Sequence, residues 1–302
     1  MSAKPKRTTA KSPRLPRADI GVLGGTGLYA IEGIKNVREI RLKTPLGDPS
    51  DAYIVGVLEG KRVAFLSRHG RGHLHLPSEI NYRANVMGFK MLGVRKLISV
   101  SSVGSLRAEL RPRDIVFSDQ FFDKTHRRST FFGEGLVAHV GLARPVCAGL
   151  SKFLYDTAVA FGIRARLGGT YVCMEGPAFS TKAESRIHRL WGGDVIGMTG
   201  ATEAKLFREA EICYATMNLV TDYDCWHESE ETVSVDLVYE NLRGNIDNAK
   251  AIIKKAVAGL SAEPDCEDDC GNALRGAIMT DPRLIPAAAK KKLAPIIGRY
   301  IP

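Results

Sequence analysis

Ile212-Cys-Tyr-Ala-Thr-Met-Asn-Leu-Val-Thr-Asp-Tyr-Asp-Cys-Trp226 decides how the chain is read. From Ile212 to Val220 it is mostly apolar and rich in side chains that favour extended backbone, the mark of a buried strand. Two carboxylates, Asp222 and Asp224, stand at its end, with Trp226 just beyond and a helix predicted from about Val235. In an open α/β sheet, the strand end that feeds a helix is where ligands bind. Burial and a neighbouring like charge both raise a carboxyl pKa, so one of the two acids could stay protonated there. Taken alone, the stretch reads as readily as a polar loop with two solvated aspartates.

Other strand ends upstream carry chemistry too. Ile20-Gly-Val-Leu-Gly-Gly-Thr-Gly-Leu-Tyr29 is a short apolar strand running into a glycine-rich turn with one hydroxyl, Thr26. Glycines let backbone N–H groups approach an anion. The turn lacks both the Gly-Lys-Ser/Thr close of a P-loop and the spacing of a dinucleotide fingerprint, so a phosphate cradle and a plain tight turn both remain open. Strands over 52–58 and 62–67 meet at Glu59-Gly60, a hairpin turn. The second runs into Arg68-His69-Gly70-Arg71-Gly72-His73, which reads as an anion pocket with Arg68 offering a planar fork of donors. A strand over 96–100 leads into Ser101, Ser102 and Gly104.

Between these come further strands over 114–118, 169–174 and 195–198, and an irregular region over 119–140 holding His126 and His139. Helices are expected over 78–92 with Ser78 as cap, 146–161, from the 175–184 segment to Trp191, 203–210 and 235–260. Strands alternate with helices, so the expected class is α/β: a single domain with a central mixed or mainly parallel sheet flanked by helices.

Composition narrows the function. The chain has 302 residues, 44% of them hydrophobic and 25% charged, as in ordinary globular proteins. Membrane insertion is not expected: no apolar run is long enough to span a bilayer and no secretory pattern is read at the start, so a cytoplasmic location is expected. The net charge of +10 is concentrated in residues 1–17, where Lys4, Lys6, Arg7, Lys11, Arg14 and Arg17 occur with no acid. This reads as a disordered basic tail, without the aromatic and basic module of a specific nucleic-acid binder. Of six cysteines, Cys147, Cys173, Cys213 and Cys225 are expected as reduced core residues. Cys266 and Cys270 read as a surface pair whose spacing suits a helical turn better than a zinc knuckle. The expected organisation is the tail, a domain over 18–262, and an extension over 263–302 packing on that domain or on a neighbouring subunit.

Gly24-Gly-Thr-Gly-Leu28, Ser67-Arg-His-Gly70, Pro77-Ser78, Asn81-Tyr82, Gly104-Ser105-Leu106, Glu175-Gly-Pro-Ala-Phe179, Met198-Thr199 and Thr221-Asp-Tyr-Asp-Cys-Trp226 occur in order. The set resembles the trimeric purine nucleoside phosphorylases, and among them the group acting on 5′-methylthioadenosine, from about residue 18 to 260. The resemblance implies cleavage of a purine nucleoside by inorganic phosphate, a co-substrate, with no metal or organic cofactor. It implies a homo-oligomer, a trimer or dimer of trimers. The phosphate site it implies is Thr26, Arg68, His69, Ser101, Ser102 and Thr199. Met198 would lie against the ribose, and Phe179, Ser180, Asp222 and Asp224 would hold the base. Val235, Val238 and Tyr239 would surround the 5′ group, with His139 from a neighbouring subunit.

The base follows from donor and acceptor matching. Adenine offers an amine at position 6 and wants an acceptor; a 6-oxopurine wants a donor. Phosphorylases of 6-oxopurines typically carry Asn where this chain has Asp222 and Glu where it has Ser180, so both positions favour adenine. A buried mismatch costs about 1–3 kcal/mol per group. The alternative is a phosphorylase of adenosine, inosine, guanosine or methylthioinosine, since the Tyr239 hydroxyl could serve a 5′-OH as its ring could serve a thioether.

Overall fold

The structure, a computed structural model, describes residues 15–25, 28, 31–227, 235–261 and 266–301, without the side chains of 235–240 and 242. In chain order the strands are β1 (Ile20–Gly24), β2 (Lys35–Ile40), β3 (Tyr53–Leu58), β4 (Lys61–Ser67), β5 (Lys96–Ser105), β6 (Ile115–Phe117), β7 (Gln120–Asp123), β8 (Ala165–Leu167), β9 (Thr170–Cys173), β10 (Val195–Gly197) and β11 (Cys213–Asp222). The helices are α1 (Tyr82–Met91), α2 (Ala148–Ala160), α3 (Lys182–Leu190), α4 (Gly200–Glu209), α5 (Val235–Gly259) and α6 (Ala287–Ile297).

All the strands join one mixed sheet, the α/β class expected from the alternation of elements. Its centre is β4-β1-β5-β11, all parallel. After β1 the chain builds β4 on one side and then crosses to place β5 on the other. Such a reversal opens a crevice at the carboxyl ends of the strands. β5 is long enough to serve two partners besides β11: its start pairs with β1, and Gly104 and Ser105 pair antiparallel with β10. β11 is buried along its whole length, as its apolar run demanded. Its register against β5 shifts between Val220 and Asp222, an irregularity that turns the strand end.

Helices cover both faces. One core joins Val86 and Phe89 of α1 to Leu206 and Phe207 of α4 and to Leu293 and Ile297 of α6. The other joins Leu150 and Leu154 of α2 to Ile252, Ile253 and Val257 of α5. Burying each such side chain contributes about 1.5–3 kcal/mol.

Several local readings need correction. α1 begins three residues later than expected, because the Asn81 side chain accepts from the Ala84 N–H (3.1 Å) and Ser78 lies in a turn. β2, β7, β8 and α6 were not expected. β2 is exposed and charged, as edge strands often are, and so lacks an apolar pattern. α6 follows Pro286 and contains Pro295, which hid it among apparent breakers. Cys270 is not a surface residue: it is 3% exposed and stands with Cys266 beside Cys147 and Cys213.

Candidate active site

The carboxyl ends of β1, β4, β5, β10 and β11 surround a cavity of about 590 Å³, a volume suited to a nucleoside. Gly25 and Leu28 follow β1, and Arg68 and His69 follow β4. Ser101, Ser102 and Gly104 come from β5, Met198 and Thr199 follow β10, and Thr221, Asp222 and Asp224 end β11. Phe179, half exposed, enters from the segment leading into α3. Nine of the site residues read from sequence therefore share one cavity: Arg68, His69, Ser101, Ser102, Phe179, Met198, Thr199, Asp222 and Asp224, with Thr221 beside them.

The remaining expectations fall elsewhere. Ser180 stands behind the lining, its hydroxyl directed at Met174 Sδ (3.9 Å) and its carbonyl accepting from Cys225 Sγ (3.2 Å). His139 is exposed, held by its backbone N–H on the Ala277 carbonyl (2.9 Å), and does not line the cavity of its own chain. Thr26 lies outside the described residues, as do the side chains of Val235, Val238 and Tyr239 on the first turns of α5.

The anion end differs in detail from expectation. Arg68 is 3% exposed, and its planar fork closes on Glu203 of α4 rather than on the cavity. Its Nη1 donates to the Val100 carbonyl (2.9 Å) and its Nη2 to Ser99 Oγ (2.8 Å), leaving one N–H on Nη1 of the five it carries. Ser99 and Tyr214 both donate to Glu203 Oε2, so the buried pair is hydrogen-bonded on both sides. His69 shares Nδ1 with the His75 carbonyl (2.8 Å) and stacks on His73. Burial pushes its pKa down to about 4, so at neutral pH Nδ1 donates and Nε2 is an acceptor. The Ser101 hydroxyl is buried without a partner. Thr199 sits at the N-cap of α4 without using its side chain as a cap, and the positive end of that helix dipole faces the cavity.

The acid end is held from several directions. Asn241 and Asn245 of α5 donate to the carbonyls of Thr221 (2.7 Å) and Val220 (3.3 Å), fixing the end of β11. Asp222 Oδ1 accepts the Asp224 N–H (2.8 Å), and its Oδ2 lies 2.7 Å from Thr221 Oγ1. A side chain on Gly104 would meet Asp222 Oδ1 at 2.8 Å, so this approach needs glycine. Asp224 adopts a left-handed backbone (φ 53°), and its Oδ2 is buried without a partner. Both carboxyls are raised above the ordinary aspartate value, in each case first by burial. The Asp224 charge raises Asp222 further, while hydroxyls of Ser185 and Ser180 pull Asp224 down. Trp226 anchors the following turn through Nε1 on the Ser105 carbonyl (2.8 Å), under the guanidinium of Arg189.

Sequence reasoning missed the supports. Arg127 donates to Tyr82 Oη (2.6 Å), the Met198 carbonyl (2.7 Å) and the Glu175 carbonyl (2.6 Å), tying α1, β10 and the segment before α3 into one wall. Arg243 and Ile246 of α5 also line the cavity. No motif marks Arg127, Glu203 or Arg243; only the folded contacts do.

The chain matches the profile of the Phosphorylase superfamily over residues 19–258. It is similar to the S-methyl-5′-thioadenosine phosphorylase of Koribacter versatilis, at 54% identity over 94% of this chain and 97% of the relative. Against that of Geobacter sulfurreducens the identity is 55%, over 93% and 99%. Its fold is similar to a crystal structure of a methylthioadenosine phosphorylase from an Antarctic soil metagenomic library, with TM-score 0.88, 47% identity, and 93% and 99% coverage. The Schistosoma mansoni methylthioadenosine phosphorylase in complex with adenine superposes with TM-score 0.79 at 33% identity, covering 87% of this chain and 99% of its own. With the paired aspartates and the hydroxyl-lined anion end in one cavity, and matches that span most of the sequence, the chain belongs to the phosphorylase superfamily.

Proposed function

We propose that the chain catalyses phosphorolysis of 5′-methylthioadenosine, giving adenine and 5-methylthioribose 1-phosphate. The observation that carries the reading is two buried carboxyls at the end of β11, both raised by burial, sharing a cavity with a cluster of unspent hydroxyl and backbone donors. The curated relatives that match along nearly their whole length are S-methyl-5′-thioadenosine phosphorylases, which favours the methylthio substrate over inosine or guanosine.

Breaking the glycosidic bond leaves positive charge on the sugar and negative charge on the purine. Phosphate stabilises the first and attacks the anomeric carbon; a carboxyl proton near N7 relieves the second. Asp222 carries that proton. Thr221 Oγ1 has one hydrogen but lies within bonding distance of two acceptors, the Val103 carbonyl (3.2 Å) and Asp222 Oδ2. Thr221 donates to Oδ2, and burial with the Asp224 charge beside it raises Asp222 so that it can hold a proton for N7. Asp224, with its open Oδ2, accepts from the exocyclic amine of adenine. One neutral and one ionised member is what neighbouring carboxyls favour.

Phosphate is held at the other end by dipoles more than by net charge, since Glu203 balances Arg68 and His69 is neutral. The donors are the remaining Arg68 N–H, the Ser101, Ser102 and Thr199 hydroxyls, and the start of α4; His69 Nε2 accepts from the phosphate O–H. Thr26 completes this set, Met198 and Phe179 bound the ribose and base, with Ser180 behind them, and Val235, Val238 and Tyr239 receive the 5′ group. Apolar lining residues such as Leu28, Leu76 and Ile246 give a thioether surroundings without a hydrogen-bond requirement. The active form is a homotrimer, alone or as a dimer of trimers, in which His139 of one copy completes the site of another. Phosphate is a co-substrate and no cofactor takes part in the chemistry. The working compartment is the cytoplasm; among the described residues no helix is long and apolar enough to cross a membrane.

Phosphorus NMR of the reaction tests the chemistry. A sugar 1-phosphate resonance growing in step with free adenine is the expected result; adenine accompanied by free 5-methylthioribose would make the enzyme a hydrolase.

A further inference from the structure

Away from the active site, the described residues hold a second concentration of reactive side chains. Cys147, Cys213, Cys266 and Cys270 bring their Sγ atoms within 4.8 Å of one another. They come from separate parts of the chain: Cys147 is the N-cap of α2, Cys213 opens β11, and Cys266 and Cys270 flank the turn before a short 3₁₀ segment at Cys270–Asn272. Cys147, Cys213 and Cys270 are buried, Cys266 is half-buried, and none is in a disulfide.

Buried cysteines can act as plain hydrophobes, but here four Sγ atoms from separate parts of the chain converge and polar groups reach them. The Cys270 N–H donates to Cys266 Sγ (3.3 Å), and the Arg208 guanidinium donates to Cys270 Sγ (3.7 Å). The nearby carboxylate of Asp268 is engaged elsewhere, accepting the Ala148 N–H (2.6 Å) and facing Arg144, so the donor set is sulfur alone.

We propose that the four cysteines form a mononuclear tetrathiolate site for a soft divalent cation, zinc. A tetrahedral ion with Zn–S bonds of about 2.3 Å spaces its sulfurs about 3.8 Å apart, which these side chains reach with small adjustments. Binding displaces the thiol protons to solvent and leaves four thiolates around the ion. The excess negative charge is met by Arg208 and by backbone N–H groups, the usual outer partners of such a site. None of the four lines the active-site cavity, so the ion is structural. It clips the segment from Cys266 onward to α2 and β11. That segment in turn carries Ala277, Met279 and Thr280, which hydrogen-bond the 137–139 stretch, and α6.

The test is metal analysis of the full chain, expressed with zinc in the medium and purified with reductant and without chelator. The expected result is close to one zinc per chain, lost in Cys266→Ser and kept in Cys173→Ala. Cobalt exchange should give the thiolate-to-metal charge-transfer bands of a tetrahedral sulfur site, absent in Cys266→Ser. A chelator should lower the melting temperature of the wild type and leave that of Cys266→Ser unchanged. Folded, reduced wild-type protein holding less than a tenth of an equivalent when zinc is supplied would overturn the proposal. So would stoichiometric iron, or fewer than the six thiols of the sequence titrating in unreduced, denatured protein, the sign of a disulfide.

Discussion

At the residue scale, the account turns on what surrounds each charge. Asp222 is raised by burial and by Asp224, and in the proposed mechanism its protonated form is the one that reacts. Because its folded pKa lies above the ordinary aspartate value, activity should be present below that raised pKa and fall as pH climbs through it. Asp222→Asn removes the transferable proton; kcat/KM with 5′-methylthioadenosine should fall about 10²–10⁴-fold, and the alkaline limb of its pH profile should flatten. A change under threefold, or an intact limb, would assign the proton elsewhere. Arg68 and Glu203 make the opposite point. Glu203→Ala leaves a buried guanidinium without its partner, a loss of about 3–5 kcal/mol in denaturant unfolding. The phosphate KM should rise with it, because Glu203 and Ser99 orient the side chain that keeps an N–H for the anion. Unchanged unfolding would show the pair to be dispensable. Asp222 was legible in the sequence because it ends an apolar run. Glu203 was not, since its partner lies 135 positions away and nothing local marks it.

At the scale of elements, the strands that build the site were legible because burial makes them apolar and the ligand makes their ends polar. β1, β4, β5 and β11 each show that change of character. β2 and β8 were not, being short or exposed strands whose pairing comes from the neighbouring strand rather than from their own pattern. The region after β7 was read only as irregular, yet it is held firmly. Glu209 of α4 accepts from Thr130 Oγ1 (2.6 Å) and the Phe131 N–H (2.7 Å), and burial raises its pKa to about 7. A carboxyl raised in the folded state stabilises fully below its unfolded pKa, and that contribution is lost as pH rises through the folded value. Between about pH 4.5 and 8, the wild type should therefore lose on the order of 3 kcal/mol relative to Glu209→Gln. Parallel urea titrations across that range measure it; two curves that run parallel in pH would contradict the assignment.

At the scale of the whole molecule, the exposed position of His139 and its absence from its own cavity fit a site completed by another copy. Light scattering should give three chains or a multiple of three. Mixed trimers of His139→Ala and Asp222→Asn subunits should recover part of the activity that each parent lacks, because some sites then hold both wild-type residues. Verified mixed trimers with no recovery would remove the shared site. The trimer is implied only by the resemblance, since a sequence shows which surfaces are apolar but not what covers them. The central claim is most directly met by the rate of adenine release from 5′-methylthioadenosine, with and without phosphate, beside adenosine and inosine. Release that depends strictly on phosphate and is fastest with the methylthio substrate is the expected result. Release without phosphate, or a preference for inosine, would contradict it.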